Sequence, residues 1–433
     1  MTDNSGDTAP TGNALYVGID VGRSYHVVAA IPQDRMESGK WLRIPSQRIP
    51  TSGSGFRHLT EWIVSFGTPT AQVEIGIEPS GGWYASTVAS WLERNGYRIQ
   101  WLQNWTVHER RQLVTGQQAK TDALDARVIA RLLYERTAFG LDRGFMHHRP
   151  RYADPLRMLV RNRGRLVESR IRYRLQLTAI EDVLFPELKE FFKKSITGIT
   201  ARSLLENFPT PHDVALARPD DLYKLIVVRC RATRFSPLIP LLQDLAKGSA
   251  GLVTDLEPIV QTQQWLLQHL RVIDAQVAET EVAMAEALRS WPAEQLTAIA
   301  TLPLMSVVRR ATLLSAIGDI TTFRDDRQLR KLFGWYPETK ESGTSLNQHA
   351  LGKSGNRIAR REMWLWAMEL TSPQHPHTPF RAYYQRLRDR GMPGHNAIGH
   401  LAAKLVTVLF FCLRRGEPYD PVRHARDLGV TDF

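Results

Sequence analysis

Only two cysteines, Cys230 and Cys412, occur among the 433 residues, far apart and each in apolar surroundings. A disulfide framework and a thiolate zinc site are thereby excluded, and a reducing cytoplasm is the expected setting. No charged-then-apolar leader opens the chain; residues 1–13 are polar and read as a disordered tail. The longest apolar run, Leu405 to Leu413, contains Thr407 and is too short to span a bilayer, so a soluble protein is expected. Acid is scarce as well. Against 56 Lys+Arg stand 44 Asp+Glu, a formal net charge of +12. Such an excess points to a polyanionic partner, because neutralising phosphates releases counterions. Arginine carries most of it, and its planar fork suits phosphate better than simple solubility requires.

The length allows two or three domains. Leu15 to Asp20 alternates apolar with polar or small residues and reads as a strand ending at Asp20. Tyr25–Ile31 and Trp41–Ile44 read as the next two strands, followed by a helix capped by Ser54 or Gly55. Val73 to Glu78 repeats the first strand's pattern, again ending on an acid. A helix over 84–94, a strand over 97–101 and helices near 105–113 and 122–136 complete a mixed α/β sheet domain, residues 14–148. From Arg149 to Arg174 nine arginines stand against two acids, with leucines at helical intervals. Arg161, Arg165 and Arg172 are among them, and the stretch reads as a nucleic-acid stripe. Asp255–Leu288 is a second long amphipathic helix, antiparallel to the first, with smaller helices from 186 to 247 between them. Residues 149–295 thus form a helical, coiled-coil segment. Residues 296–420 are mostly helical, and 421–433 read as a polar tail.

Two sets of residues carry chemistry. Asp20 and Glu78 each end an alternating strand with parity opposite to its apolar face, so neighbouring strands bring both carboxylates to one end of the sheet. Asp122 and Asp125, spaced i,i+3, project from one side of a helix. Four hard oxygen donors suit Mg2+, with Mn2+ able to substitute, and a metal so held can polarise a phosphodiester. Spacing alone leaves Glu74 and Asp142 open as stand-ins. The second set is a polar, glycine-punctuated loop, 334–361, with Ser342-Gly343 near its middle and Lys340, Lys353, Arg357, Arg360 and Arg361 around it. A hydroxyl ringed by cations suits attack on phosphate. Ser345, Ser306 and Ser354 are rival hydroxyls.

These motifs are similar to those of a known family. Tyr-Val-Gly-Ile-Asp at 16–20, Ile-Gly-Ile-Glu-Pro-Ser at 75–80 and Lys-Thr-Asp-Ala-Leu-Asp-Ala at 120–126 cover one end. Ile-Gly-Asp-Ile at 317–320, Gly-Trp-Tyr-Pro at 334–337, Glu-Ser-Gly at 341–343, Lys-Ser-Gly-Asn-Arg at 353–357 and Phe-Arg-Ala-Tyr-Tyr-Gln-Arg-Leu-Arg at 380–388 cover the other. Together they resemble the bridge-RNA-guided transposases of the IS-one-ten group of insertion sequences. The resemblance implies an RNase-H-like (RuvC-like) domain whose Asp-Glu-Asp-Asp set falls on Asp20, Glu78, Asp122 and Asp125. It also implies a C-terminal transposase domain whose nucleophilic serine falls on Ser342. It further implies a homo-oligomer, dimer or tetramer, in which one protomer's metal site is completed by another's serine. Donor and target DNA are chosen by a structured guide RNA, and strand exchange passes through a phosphoserine link in the nucleoid. The chain departs from the family at Leu302-Pro303-Leu304-Met305-Ser306, where many relatives have a glycine-rich turn. Two other functions stay open: a metal-only junction nuclease with water as nucleophile, and a non-catalytic nucleic-acid-binding protein on a degenerate nuclease fold.

Overall fold

Leu15, Val17 and Ile19 alternate with Tyr16, Gly18 and Asp20, so a strand over this stretch offers two different faces. The computed structural model describes residues 14–78, 84–115, 121–141, 145–146, 153–193, 196–254, 256–342, 346–351 and 355–429. They fall into two compact units, Met1–Arg149 and Pro150–Phe433.

The first unit is built on strands β1 (Leu15–Val21), β2 (Tyr25–Pro32), β3 (Gln47–Pro50), β4 (Val73–Ile77), β5 (Ile99–Leu102) and β6 (Phe145–Met146). Their order in the sheet is β3-β2-β1-β4-β5-β6. β1, β2 and β3 pair antiparallel, while β4 runs parallel to both β1 and β5. This is the mixed sheet of an RNase-H-like domain. The odd-numbered side of β1 and β4 packs on the helices Gly53–Val64 and Tyr84–Arg94. The other side packs on the helix Asp122–Phe139.

That second packing depends on two glycines opposite each other in the β1–β4 register, Gly18 and Gly76. A Cβ on Gly18 would collide with the Ala126 carbonyl oxygen and come within 2.6 Å of the Ala130 amide nitrogen. On Gly76 it would stand 2.9 Å from Ile129 Cγ2. The helix backbone therefore lies directly on β1, and its Ile129 side chain fills the place a side chain on β4 would take.

Several expected elements differ. Trp41–Ile44 is not a strand: Lys40–Arg43 is a short 3₁₀ turn that buries Trp41, and the third strand is Gln47–Pro50. Gln47 and Arg48 belong to an edge strand, which can carry polar residues on both sides, so no apolar alternation marked it. Ser52, rather than Ser54 or Gly55, caps the following helix by accepting from Gly55 N. The loop expected over 334–361 holds a hairpin, β7 (Pro337–Ser342) paired with β8 (Leu346–Leu351). The expected polar tail contains the helix Pro421–Leu428, which buries His424, Ala425 and Leu428.

In the second unit the two long helices, Ala153–Leu184 and Glu257–Leu288, pack antiparallel. Arg163 meets Glu281 at 2.7 Å, Arg170 meets Asp274 at 3.3 Å, and Glu181 accepts from Gln263 at 2.8 Å. As one helix advances the other recedes by the same number of residues, so a single register runs along the pair. Leu156, Val160, Met284 and Leu288 at one end belong to the core of residues 291–413. Leu177, Leu266 and Leu270 at the other belong to a separate core formed by the short helices between 188 and 247. The 21 residues from Leu156 to Leu177 separate the two cores by about 30 Å. The helix Gly394–Arg415 is long and apolar enough to cross a membrane by length and composition. Its apolar residues Leu401, Leu405 and Leu409 are fully buried in the first of these cores.

Two stability experiments follow from this packing. Gly18→Val should cost about 3 kcal/mol or more in chemical denaturation, because backbone cannot retreat from a new side chain. Gly164→Ala, mid-helix with nothing within 4 Å, should stabilise by roughly 0.5–1 kcal/mol. Glu181 supplies the second experiment. Its carboxyl is buried, one oxygen has no partner, and burial pushes it up to about 7. The folded protein therefore holds a proton that the unfolded chain releases near the usual 4.5. Stability is highest below that value and falls as pH rises through 7, by roughly 3 kcal/mol. Glu181→Gln should remove this fall, gaining stability at pH 8 but little at pH 4; an equal change at both would contradict the assignment.

Candidate active site

Asp20 and Glu78 lie one residue beyond the Ile19↔Ile77 pair of parallel strands β1 and β4. Neighbouring strands are about 4.8 Å apart, so the two residues stand side by side. Both have the parity of Gly18 and Gly76 and therefore belong to the side of the sheet that the helix Asp122–Phe139 covers. The helix Asp122–Phe139 runs antiparallel to β1: Tyr134 packs on Tyr16 with ring centroids 5.5 Å apart, while Ala126 and Ala130 lie over Gly18. Two strand residues onward, about 6.8 Å, correspond to about 4.5 helix residues back. That arithmetic brings the Asp122–Asp125 turn level with Asp20 and Glu78. Thr121 caps this helix by accepting from Leu124 N at 3.2 Å, which leaves Asp122 and Asp125 free of the capping role.

The stand-ins separate clearly. Glu74 pairs in register with Tyr16, four residues back along β4, and accepts from Gln100, whose oxygen accepts from Arg136 at 2.6 Å. It belongs to a different polar network at the far end of the strand. Asp142 lies outside the described residues.

The four carboxylates are in unequal surroundings. Asp122 is exposed, Asp20 and Glu78 are half-buried, and Asp125 is buried. Arg111, itself buried on the helix Asn104–Thr115, donates to both oxygens of Asp125 at 2.6 and 2.8 Å. The other Arg111 terminal nitrogen lies 2.8 Å from His108 Nδ1. Arg110, next in sequence, pairs with Glu135, which Arg131 also holds at 2.8 Å. The helix Asn104–Thr115 is thus clamped to the carboxylate-bearing helix by two arginine–acid pairs. Sequence reasoning missed Arg111; the one signal was its place in a helix just before the Asp122–Asp125 turn.

As a donor set, strand-end and helix-turn carboxylates suit a hard divalent ion. Of the four, Asp125 already holds the Arg111 guanidinium. Among the described residues, no three His, Cys, Asp or Glu side chains converge on a point that could hold a metal.

In the second unit, Ser342 is the last residue of β7 and pairs with Leu346. Lys340 lies in the same strand, opposite Gln348. Lys353, Ser345 and Ser354 lie outside the described residues. Arg357, Arg360 and Arg361 open the helix Arg357–Thr371, capped by Asn356, which accepts from Ile358 N and Ala359 N at 3.1 Å. Gly355 has φ +119, and a Cβ there would meet Leu332 O at 2.7 Å and Gly334 N at 2.8 Å. The Lys-Ser-Gly-Asn-Arg run therefore needs its glycine to bring this helix start against residues 332–334. Arg357 and Arg361 are exposed, while the Arg360 guanidinium sits over the Trp335 ring at 5.3 Å. Ser306 caps the helix Val307–Ile317, which accounts for its hydroxyl structurally. In the departing turn, Leu304 takes φ +56, a conformation that favours glycine. Buried Arg309 donates to the Leu304 carbonyl and pairs with Glu362 and Glu369, each at 2.8 Å. Trp366 Nε1 donates to Pro303 O at 2.9 Å. These bonds hold the turn that glycine would otherwise make easy.

Of the expected nucleic-acid stripe, Arg161, Arg165 and Arg172 are exposed and have no acidic partner among the described residues. Arg163 and Arg170 instead make ion pairs across the helical pair, so part of the arginine excess is structural.

Comparison with known proteins accounts for both units. Residues 17–186 match a transposase family of the DEDD IS110 type, and residues 296–385 match the transposase IS116/IS110/IS902 family. The chain is 26% identical over 417 residues to an insertion element IS110 protein of 43.6 kDa from Streptomyces coelicolor, covering 96% of this chain and 97% of the relative. It is 25% identical over 412 residues to an insertion element IS116 protein of 44.8 kDa from Streptomyces clavuligerus, covering 94% and 96%. A pilin gene-inverting protein of Moraxella bovis is 27% identical over 127 residues, 29% of this chain and 39% of the relative. The first match spans all four carboxylates and the second spans Ser342, and on these grounds the chain belongs to the IS110 family of DNA transposases.

Proposed function

We propose that this transposase cuts and rejoins DNA strands through a phosphoserine intermediate formed at Ser342, with a divalent metal, Mg2+ or Mn2+, held by Asp20, Glu78 and Asp122. The observation that supports it most is the common level of the strand-end and helix-turn carboxylates above paired glycines. Ser342 Oγ attacks the scissile phosphorus and loses its proton to solvent. The Oγ–P bond forms as the P–O bond to the departing deoxyribose breaks, and the departing oxygen takes up a proton. A hydroxyl of the second strand then attacks the phosphoserine, restoring Ser342 and forming the new phosphodiester without an external nucleotide. When bound, the metal supplies positive charge for the phosphoryl oxygens. Lys340, Lys353, Arg357 and Arg361 bind backbone phosphates and stabilise the same developing charge.

The wider reading is that a structured guide RNA selects donor and target, and that serine and carboxylates meet across protomers of a homo-oligomer acting in the nucleoid. The net charge and the unpaired Arg161, Arg165 and Arg172 support nucleic-acid contact. A relative named for gene inversion is in keeping with recombination rather than simple degradation.

Ser342→Ala should abolish a protein–DNA adduct that survives denaturation and should lower strand exchange at least about 10³-fold. Asp20→Asn and Glu78→Gln should each do likewise. Cutting by Ser342→Ala that leaves free ends would establish water as the nucleophile. Retained activity in both acid variants would overturn the metal assignment.

Arg111 adds a quantitative expectation. A guanidinium on both oxygens of Asp125 competes with any cation that needs them. Arg111→Gln should therefore tighten Mn2+ binding about tenfold, roughly 1.4 kcal/mol, in spin-resonance titration. Unchanged or weaker binding would mean that Arg111 serves packing alone.

A further inference from the structure

The core formed by the short helices between 188 and 247 lies in a stretch, 187–295, that neither family match covers. Many of its cations are paired. Lys189 pairs with Asp182, Arg202 with Asp274, Arg218 with Asp221 and Lys247 with Asp244. Lys224, Arg229, Arg231 and Arg234 are all exposed, and none has an acidic partner among the described residues. All four fall within eleven consecutive residues, on and just after one turn.

The backbone explains how they come to be displayed together. Residues Lys224–Arg229 form a π-helical turn, closed by Cys230 N donating to Leu225 O at 3.1 Å. The wide turn buries Leu225, Ile226 and Val227 in succession, so the residues that follow are pushed outward as a group. Val228 is 62% exposed, and Tyr223 just before the turn is 44% exposed. Arg231 is held at φ +53, a conformation costly for a residue with a Cβ. Ala232 N donates to Ile226 O at 3.1 Å and fixes this reversal. π-turns and positive-φ side chains both concentrate at functional sites. Solubility would be served as well by mixed charges, without the mutual repulsion of four cations.

We propose that this basic turn is a docking surface for the phosphodiester backbone of duplex DNA, the polyanion a DNA transposase must hold. It would add a contact about 30 Å along the helical pair from the transposase core. The proposal rests on the nucleic-acid reading above but not on the serine or the metal. Arginine forks and a lysine take phosphate oxygens, and Tyr223 and Val228 lie against the sugar edge. With no groove-reading helix among these residues, the contact is independent of base sequence.

The test uses the full chain with Lys224→Ala, Arg229→Ala, Arg231→Ala and Arg234→Ala combined, beside a variant exchanging Lys and Arg at the same positions. Each binds a labelled 25-base-pair duplex of arbitrary sequence, one DNA and one RNA, across a salt series. The alanine variant should keep the wild-type melting temperature and lose at least about tenfold in affinity at low salt. Its plot of log K against log salt should be shallower by about 3 to 4, near 0.9 for each phosphate contact on DNA. The exchange variant should retain the wild-type slope. A loss confined to the RNA duplex would overturn the assignment to DNA. Unchanged affinity and slope on both duplexes would overturn the proposal and leave the nucleic-acid reading intact, whereas wild-type protein binding neither duplex would overturn both.

Discussion

The close seat of the helix Asp122–Phe139 on β1 and β4 is the constraint on which the acidic site depends. Gly18 and Gly76 remove the side chains that would hold helix and sheet apart. Without them the helix would ride higher, and the Asp122–Asp125 turn would part from Asp20 and Glu78. Tyr16 against Tyr134 then sets how far the helix slides along the strand. Two glycines and one aromatic contact thus fix the height and register of the helix that carries Asp122 and Asp125 against the strands that lead to Asp20 and Glu78. The clamp from Arg110 and Arg111 adds a lateral hold, and it is also where positive charge enters an otherwise acidic site.

The second unit solves a different problem. Its hairpin and arginine-bearing helix start have to be presented from a helical scaffold. Buried Arg309 ties the helices Val307–Ile317 and Arg357–Thr371 together through Glu362 and Glu369, with Trp366 beneath its guanidinium at 5.8 Å. Breaking such a pair would leave a charge buried, so the joint is rigid even where its net stabilisation is small. The antiparallel pair of long helices carries a second core well away from this scaffold.

Much of this was legible in the sequence because local and global preferences agree. The alternation in Leu15–Asp20 and Val73–Glu78 is strong, and it gave strand parity and hence the common side of Asp20 and Glu78. The side-chain caps at Ser306, Asp325 and Thr378 are local chemistry set by the residues themselves. The edge strand Gln47–Pro50 lacked alternation, and Trp41 mimicked a strand because it is buried from a turn. Glycine-rich, polar 334–361 reads as loop because neither strand of its hairpin, Pro337–Ser342 or Leu346–Leu351, carries an apolar alternation. Arg111 was invisible because its importance lies in Asp125, fourteen residues on, and in no motif. The π-turn at Lys224–Arg229 follows from tertiary packing of three successive apolar residues, which a helical periodicity does not anticipate.

The proposed chemistry requires one metal to sit beside elements that are remote in sequence. Fe2+ loaded in place of Mg2+ and treated with ascorbate and peroxide cleaves the backbone close to where it is bound. The predicted result is three clusters of cuts, near residues 18–22, 76–80 and 120–126, suppressed by excess Mg2+ and lost in Asp20→Asn. Cuts confined to one of these segments, or falling elsewhere with the same Mg2+ protection, would contradict it.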